Sequence, residues 1–161
     1  MRRAIYAGSF DPLTLGHCWM IEEGIMLFDE LIISIGENPH KKYTFSLEER
    51  LDMIKEEYSN KIKVTFFNNK YLVDYAREMK CEYILRGVRN TEDFQYESTL
   101  KEINHNLNPE IKTVFLTPPK ELSIVSSSIV KSLIGPEGWK NEVQKYVPAK
   151  VYSHLVKKFD V

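Results

Sequence analysis

Two rhythms of apolar residues alternate along the chain. Short runs at Arg3 to Ala7, Leu31 to Gly36, Ile62 to Phe67, Tyr83 to Leu85 and Thr113 to Thr117 have the composition of strands. Between them, apolar positions return at helical spacing: Met20, Ile21, Gly24, Ile25 and Phe28 in the segment from His17 to Phe28, then Leu47, Leu51, Ile54 and Tyr58. Ser46 with Glu49 three residues on predicts a capping box at the start of that second helix, where side chain and backbone satisfy each other's free donors. Tyr71 to Lys80 and Glu92 to Leu107 read as two more helices, the latter stopped before Pro109 because a residue preceding proline resists helical angles. Ser128 to Ile134 opens a fifth. Beyond Gly135-Pro136-Glu137-Gly138 a helical tail is expected to reach Phe159, with Val151, Leu155 and Phe159 on one stripe.

Strict alternation of strand and helix predicts an α/β fold: a doubly wound, Rossmann-like, five-stranded parallel sheet, because parallel strands need crossover helices. For the strand order 3-2-1-4-5, ligands are expected beyond the carboxyl ends of the strands, where the order reverses between strands one and four. Two unusual stretches, "GSFDPLTLGH" after strand one and "RGVRN" after strand four, would then face each other.

Composition narrows the setting. With 161 residues, 43% hydrophobic, the chain suits one compact domain, residues 1–161, with a sizeable core. A net charge of -1, with bases scattered among acids, argues against nucleic acid as a partner. The isolated Cys18 and Cys81 lack metal-ligand spacing and suit a reducing compartment, so a cytoplasmic location is expected. No signal-peptide pattern opens the chain and no window approaches the roughly 18 apolar residues of a membrane span, so neither export nor a membrane partner is expected.

The chemistry-bearing residues gather in the predicted strand-end loops. His17 is expected in the first turn of its helix, where free N–H groups and the dipole favour an anion. A lone histidine there is more often a cap or a packing residue. Here Gly16 allows close approach, Ser9 offers a hydroxyl, and Thr14 completes a T-x-G-H spacing. Arg86 and Arg89 flank Gly87 just past strand four, and such forks match phosphate oxygens; the plainer alternative is pairing to Glu92, Asp93 or Glu97. Lys41 and Lys42 follow strand two and, apart from their location, read as a solvated surface pair. In "LSIVSSSIVKSL" one serine of Ser126, Ser127 and Ser128 suffices as a cap, leaving the others for a phosphate chain, with Lys131 one turn in. No P-loop, dinucleotide glycine pattern, nucleophile elbow or zinc helix is present. The inventory is cationic and hydrogen-bonding, which suits transfer between phosphates by positioning and charge stabilisation.

"GSFDPLTLGH" with "VSSSIVK" resembles the T/HxGH nucleotidylyltransferase superfamily, and "NPHKKYTFSLEER", "YLVDYA" and "RGVRNTEDFQYE" narrow the resemblance to the phosphopantetheine adenylyltransferase family. The last two stretches argue against the related cytidylyltransferases and nicotinate-mononucleotide adenylyltransferases, and Ser9-Phe10-Asp11-Pro12 lacks the acidic cluster of a receiver domain. The resemblance implies adenylyl transfer from ATP to 4'-phosphopantetheine, giving dephospho-coenzyme A and pyrophosphate with magnesium. His17, Lys41 and Ser9 would be catalytic. ATP would be bound by Ser9, Phe10, His17, Gly87, Val88, Arg89, Glu97 and the stretch Leu122, Ser123, Ile124, Val125, Ser126, Ser127 and Ser128. Phosphopantetheine would meet Ser9, Lys41, Leu72 and Arg86. Magnesium (Mg2+) would be held mainly by phosphates, without protein metal ligands. A homohexamer and feedback by coenzyme A follow from the resemblance alone. Ala7 stands where the family commonly has proline, Val125 where it has isoleucine, and Leu122 where many members carry an aromatic, which predicts weaker stacking near the nucleotide.

Overall fold

The computed structural model describes residues 1–58 and 61–160. Its strands are β1 Arg3–Gly8, β2 Glu30–Glu37, β3 Lys63–Asn68, β4 Tyr83–Gly87 and β5 Lys112–Leu116. The helices are α1 Leu15–Leu27, α2 Leu47–Tyr58, α3 Leu72–Glu78, α4 Thr91–Leu107, α5 Ser127–Ser132, α6 Trp139–Val143 and α7 Ala149–Phe159. All strand pairings are parallel, as the alternation predicts, and the order is the expected β3-β2-β1-β4-β5.

Period-two alternation sends neighbouring strand residues to opposite faces. Ala4, Tyr6, Leu31, Ile33, Ile35 and Leu85 enter the larger core with α1, α2 and α7, whereas Ile5, Ile32 and Ile84 meet Val73 and Ala76 of α3 on the other face. Gly24 lets α1 lie close on the sheet: a Cβ there would stand 2.8 Å from the Leu31 side chain and 3.0 Å from that of Leu85, so the leucines would have to shift. The Ser46 capping box is present, with Ser46 N–H donating to Glu49 at 2.7 Å and Glu49 N–H to Ser46 Oγ at 3.1 Å.

The chain's last third differs from the sequence expectation. In place of one helical tail there are two helices, because Pro148 has no N–H to donate and instead precedes α7 as its cap. Val151 and Leu155 are fully buried and Phe159 packs beside them, so the stripe itself holds. The fifth helix runs over Ser127–Ser132 rather than Ser128 to Ile134, since Ser126 takes the capping position. Among the described residues no helix is long and apolar enough to cross a membrane.

Candidate active site

The carboxyl ends of β1 and β4 open onto a cavity of about 250 Å3. Of the predicted site residues, His17, Arg86, Gly87, Arg89, Glu97, Leu122, Val125 and Ser126 line it, together with Tyr6, Thr14, Met20, Asp93 and Pro118. Gly16 also lines it, and its lack of a Cβ serves the protein's own packing, since a Cβ would stand 3.1 Å from the Val125 carbonyl oxygen. The bare glycine thus seats the loop after β1 against the serine motif.

Thr14 caps α1, and His17 occupies the position where a capping box ordinarily has Glu or Gln. The Thr14 N–H donates to His17 Nδ1 at 3.1 Å, and the His17 N–H returns a bond to Thr14 Oγ1 at 3.4 Å. An accepting Nδ1 puts the proton of the neutral ring on Nε2. Burial, with the Arg89 guanidinium second, pushes the imidazolium down to about 4, so the ring is neutral at physiological pH. Phe10 supports it from below: its ring is buried at a positive φ of 47°, edge-on to His17 at 5.0 Å and to Tyr6 at 5.5 Å between centroids. His17 is therefore a fixed, uncharged donor at a helix N-terminus.

The β4 arginines have partners already. Arg86 Nε and Nη2 grip Glu97 at 2.8 and 2.5 Å, and Nη1 donates to the Ala7 carbonyl at 2.9 Å. Burial works against the Arg86 charge, but the Glu97 hydrogen bonds and charge outweigh it and hold the guanidinium above its ordinary pKa. Arg89 Nε lies 2.8 Å from Asp93 Oδ2. The plainer alternative from the sequence, carboxylate pairing, thus describes both arginines while leaving both in the cavity wall. Val88 between them is buried and donates its N–H to Leu116 at 2.9 Å.

Ser9 and Lys41 form a second corner, outside the lining of that cavity, with Lys41 Nζ 3.2 Å from Ser9 Oγ. The serine motif divides its labour. Ser126 Oγ accepts from Ile129 N–H at 3.2 Å as the α5 cap, Ser127 Oγ donates to the Pro12 carbonyl at 2.8 Å, Ser123 Oγ donates to Lys120 at 2.7 Å, and Ser128 and Ile124 are exposed. Leu72 is not brought to this cavity; it packs with Tyr75 and Met79 against the smaller core.

Two charged residues given no site role by sequence fasten these loops. The buried Asp11 carboxylate accepts from Thr44 N–H and Phe45 N–H, both at 2.9 Å, and from Lys131 Nζ at 3.1 Å. Burial alone would raise the Asp11 pKa, but those two amides and Lys131 lower it below the usual carboxylate value. Arg50 is the other. Its signal was a lone charge inside the apolar stripe Leu47, Leu51, Ile54 and Tyr58.

A neutral, preset imidazole donor at a helix N-terminus, with arginines in the same cavity wall at the topological switch point, suits the handling of phosphate. The chain matches the cytidylyltransferase-like family over residues 5–133, and the fold and site together are those of a nucleotidyltransferase. It is 49% identical over 158 residues to phosphopantetheine adenylyltransferase of Chromobacterium violaceum, covering 97% of this chain and 96% of that one. To the same enzyme of Flavobacterium johnsoniae it is 45% identical over 152 residues, covering 94% and 97%. This chain belongs to the phosphopantetheine adenylyltransferase family. Among solved structures, Plasmodium falciparum nicotinic acid mononucleotide adenylyltransferase complexed with NaAD shares the fold with a TM-score of 0.72 at 19% identity, over 97% of this chain and 95% of that one.

Proposed function

We infer that the site carries out in-line adenylyl transfer, with ATP as donor and 4'-phosphopantetheine as acceptor, in the penultimate step of coenzyme A synthesis. A phosphate oxygen of the acceptor forms a bond to the α-phosphorus of ATP as the bond to pyrophosphate breaks. The attacking oxygen is already anionic, so no base is needed. The observation that carries the reading is the neutral His17, whose Nδ1 is held by Thr14 so that Nε2–H can donate to charge developing on the α-phosphate. Ser9 and Lys41, at the adjoining corner, bind the acceptor phosphate and align its attack.

The remaining roles follow from position. Gly87, Arg89, Glu97 and the stretch 122–128 surround the nucleotide, with Val88 and Phe10 holding the backbone beneath it. Arg86 reaches the acceptor side by exchanging part of its Glu97 pairing for phosphate. Leu72 lines the path of the pantetheine arm beyond the cavity. Among the described residues no group of three or more His, Cys, Asp or Glu could hold a metal ion, and Asp93 and Glu97 are each engaged by arginine. Magnesium enters with the substrate as the ATP complex, held mainly by the phosphates.

The enzyme works in the cytoplasm as a homohexamer and is inhibited by coenzyme A, which shares the acceptor's pantetheine chemistry. Assembly is supported by exposed apolar residues on α4, Tyr96, Ile103 and Leu107. Pyrophosphate release from purified protein with magnesium and ATP, with and without 4'-phosphopantetheine, tests the reaction. Release that needs both substrates supports it. ATP binding without release under any phosphopantetheine concentration refutes it.

A further inference from the structure

Arg50, in the first turn of α2, is 1% exposed and is one of the largest fully buried side chains. A buried guanidinium is costly unless its donors are satisfied, and here each of the three nitrogens has a partner. Nε donates to the carbonyls of Phe45 and Ser46 at 3.1 and 3.3 Å, Nη1 to the Ser9 carbonyl at 3.0 Å, and Nη2 to the Glu37 carboxylate. The Tyr43 ring covers it, with Cζ 4.0 Å from the ring centroid. Tyr43 in turn accepts from Asn38 N–H at 2.8 Å. One fork thus joins the end of β1, the end of β2 and the loop on both sides of Lys41.

Packing does not require a charge here. An apolar residue at position 50 would continue the stripe 47, 51, 54 and 58, and buried ion pairs are often replaced by apolar residues at no cost in stability. What the fork adds is geometry: it reaches three chain segments at fixed angles. None of its partners, Ser9, Glu37, Phe45, Ser46 or Tyr43, lines the 250 Å3 cavity, so its influence falls on the Ser9–Lys41 corner.

We propose that Arg50 is a positioning residue for the acceptor phosphate, fixing the Ser9 carbonyl and the loop around Lys41 so that Ser9 Oγ and Lys41 Nζ meet one anion together. This rests on the reading of Ser9 and Lys41 as the acceptor-phosphate groups. Arg50→Lys keeps the charge and loses the fork. Tyr43→Leu removes the ring stacked on the guanidinium and leaves the fork's own hydrogen bonds in place, and carries the comparison if Arg50→Lys does not fold.

The test measures kcat/KM for 4'-phosphopantetheine at saturating ATP, the ATP dissociation constant by calorimetry, and a double-mutant cycle of Arg50→Lys with Lys41→Ala. Arg50→Lys is expected to lower acceptor kcat/KM by about tenfold to a hundredfold, the scale of small misplacement at a reacting centre. ATP affinity should stay within about twofold, and the loss should largely vanish in the Lys41→Ala background because the two residues act on one contact. Additive losses, a parallel fall in ATP affinity, or unchanged kinetics would overturn the positioning role. If Lys41→Ala alone leaves kcat/KM unchanged, the acceptor-site reading fails and this inference with it. A large Lys41→Ala loss with an additive cycle overturns only the inference.

Discussion

On the β4 side of the site, Arg86 and Arg89 are each paired to a carboxylate; on the β1 and β2 side, among the described residues, the side chains of His17 and Lys41 hydrogen-bond to the neutral groups of Thr14 and Ser9 and to no carboxylate. The two sides therefore respond differently to a phosphate. A paired arginine must trade a carboxylate for the ligand, which limits the net gain. An uncommitted donor, already oriented, gives its whole interaction to charge that develops there. On the proposed reaction, rate would depend on the β1 and β2 side, and affinity and loop shape on the β4 side.

The largest expected effect breaks the first half of that comparison. His17→Ala should lower turnover by about a hundredfold to a thousandfold, the usual cost of a lost transition-state donor, with little change in ATP affinity. Steady-state kinetics beside ATP calorimetry would read both, and a loss of affinity without loss of turnover would reverse the assignment. Glu97→Gln tests the other half. It leaves the partly buried Arg86 without its counter-charge and should cost about 2 kcal/mol of unfolding free energy, discounted from a fully buried pair for its solvent contact. Denaturant unfolding checks this, and a more stable variant would show the pair to be dispensable.

The pH dependence sharpens the contrast further. The native His17 pKa is about 4, below the unfolded value near 6.5, so between them the unfolded chain binds the extra proton. Its contribution to stability is complete above 6.5 and is lost as pH falls towards 4. Ring resonances followed by NMR should titrate near the lower value, and stability should fall less between pH 7 and pH 5 in His17→Gln than in the wild type. Asp93→Asn should have the smallest effect, under about 1 kcal/mol by thermal unfolding, because the Arg89 pair is more exposed than Arg86–Glu97.

The parallel sheet was legible because apolar periodicity marks strands and helices and their strict alternation requires crossovers; the strand order, expected correctly, is not encoded in that rhythm. The break between α6 and α7 was missed although Pro148 marks it, because the stripe Val151, Leu155 and Phe159 lies wholly within α7 and carries no information on where the preceding helix ends. His17, Thr14 and the arginines were readable from spacing around predicted strand ends. How the hydroxyls are used was not: Ser127 bonds Pro12, 115 residues away, which no local pattern encodes. Arg50 escaped because an apolar stripe is read by its apolar members, and a charge within it acquires meaning only through distant partners such as Ser9.

The Asp11 carboxylate has a consequence for sequence drift. Its partners at 44 and 45 are backbone amides, present whatever side chains stand there, so the clamp prescribes the route of the loop and leaves its lettering open. Substitution by any residue but proline keeps the amide donor at those two places. Descendants of this chain could therefore vary the exposed positions 39, 40 and 42 of the loop, and with them the fit to an acceptor, while the ground beneath Ser9 and α5 stays still.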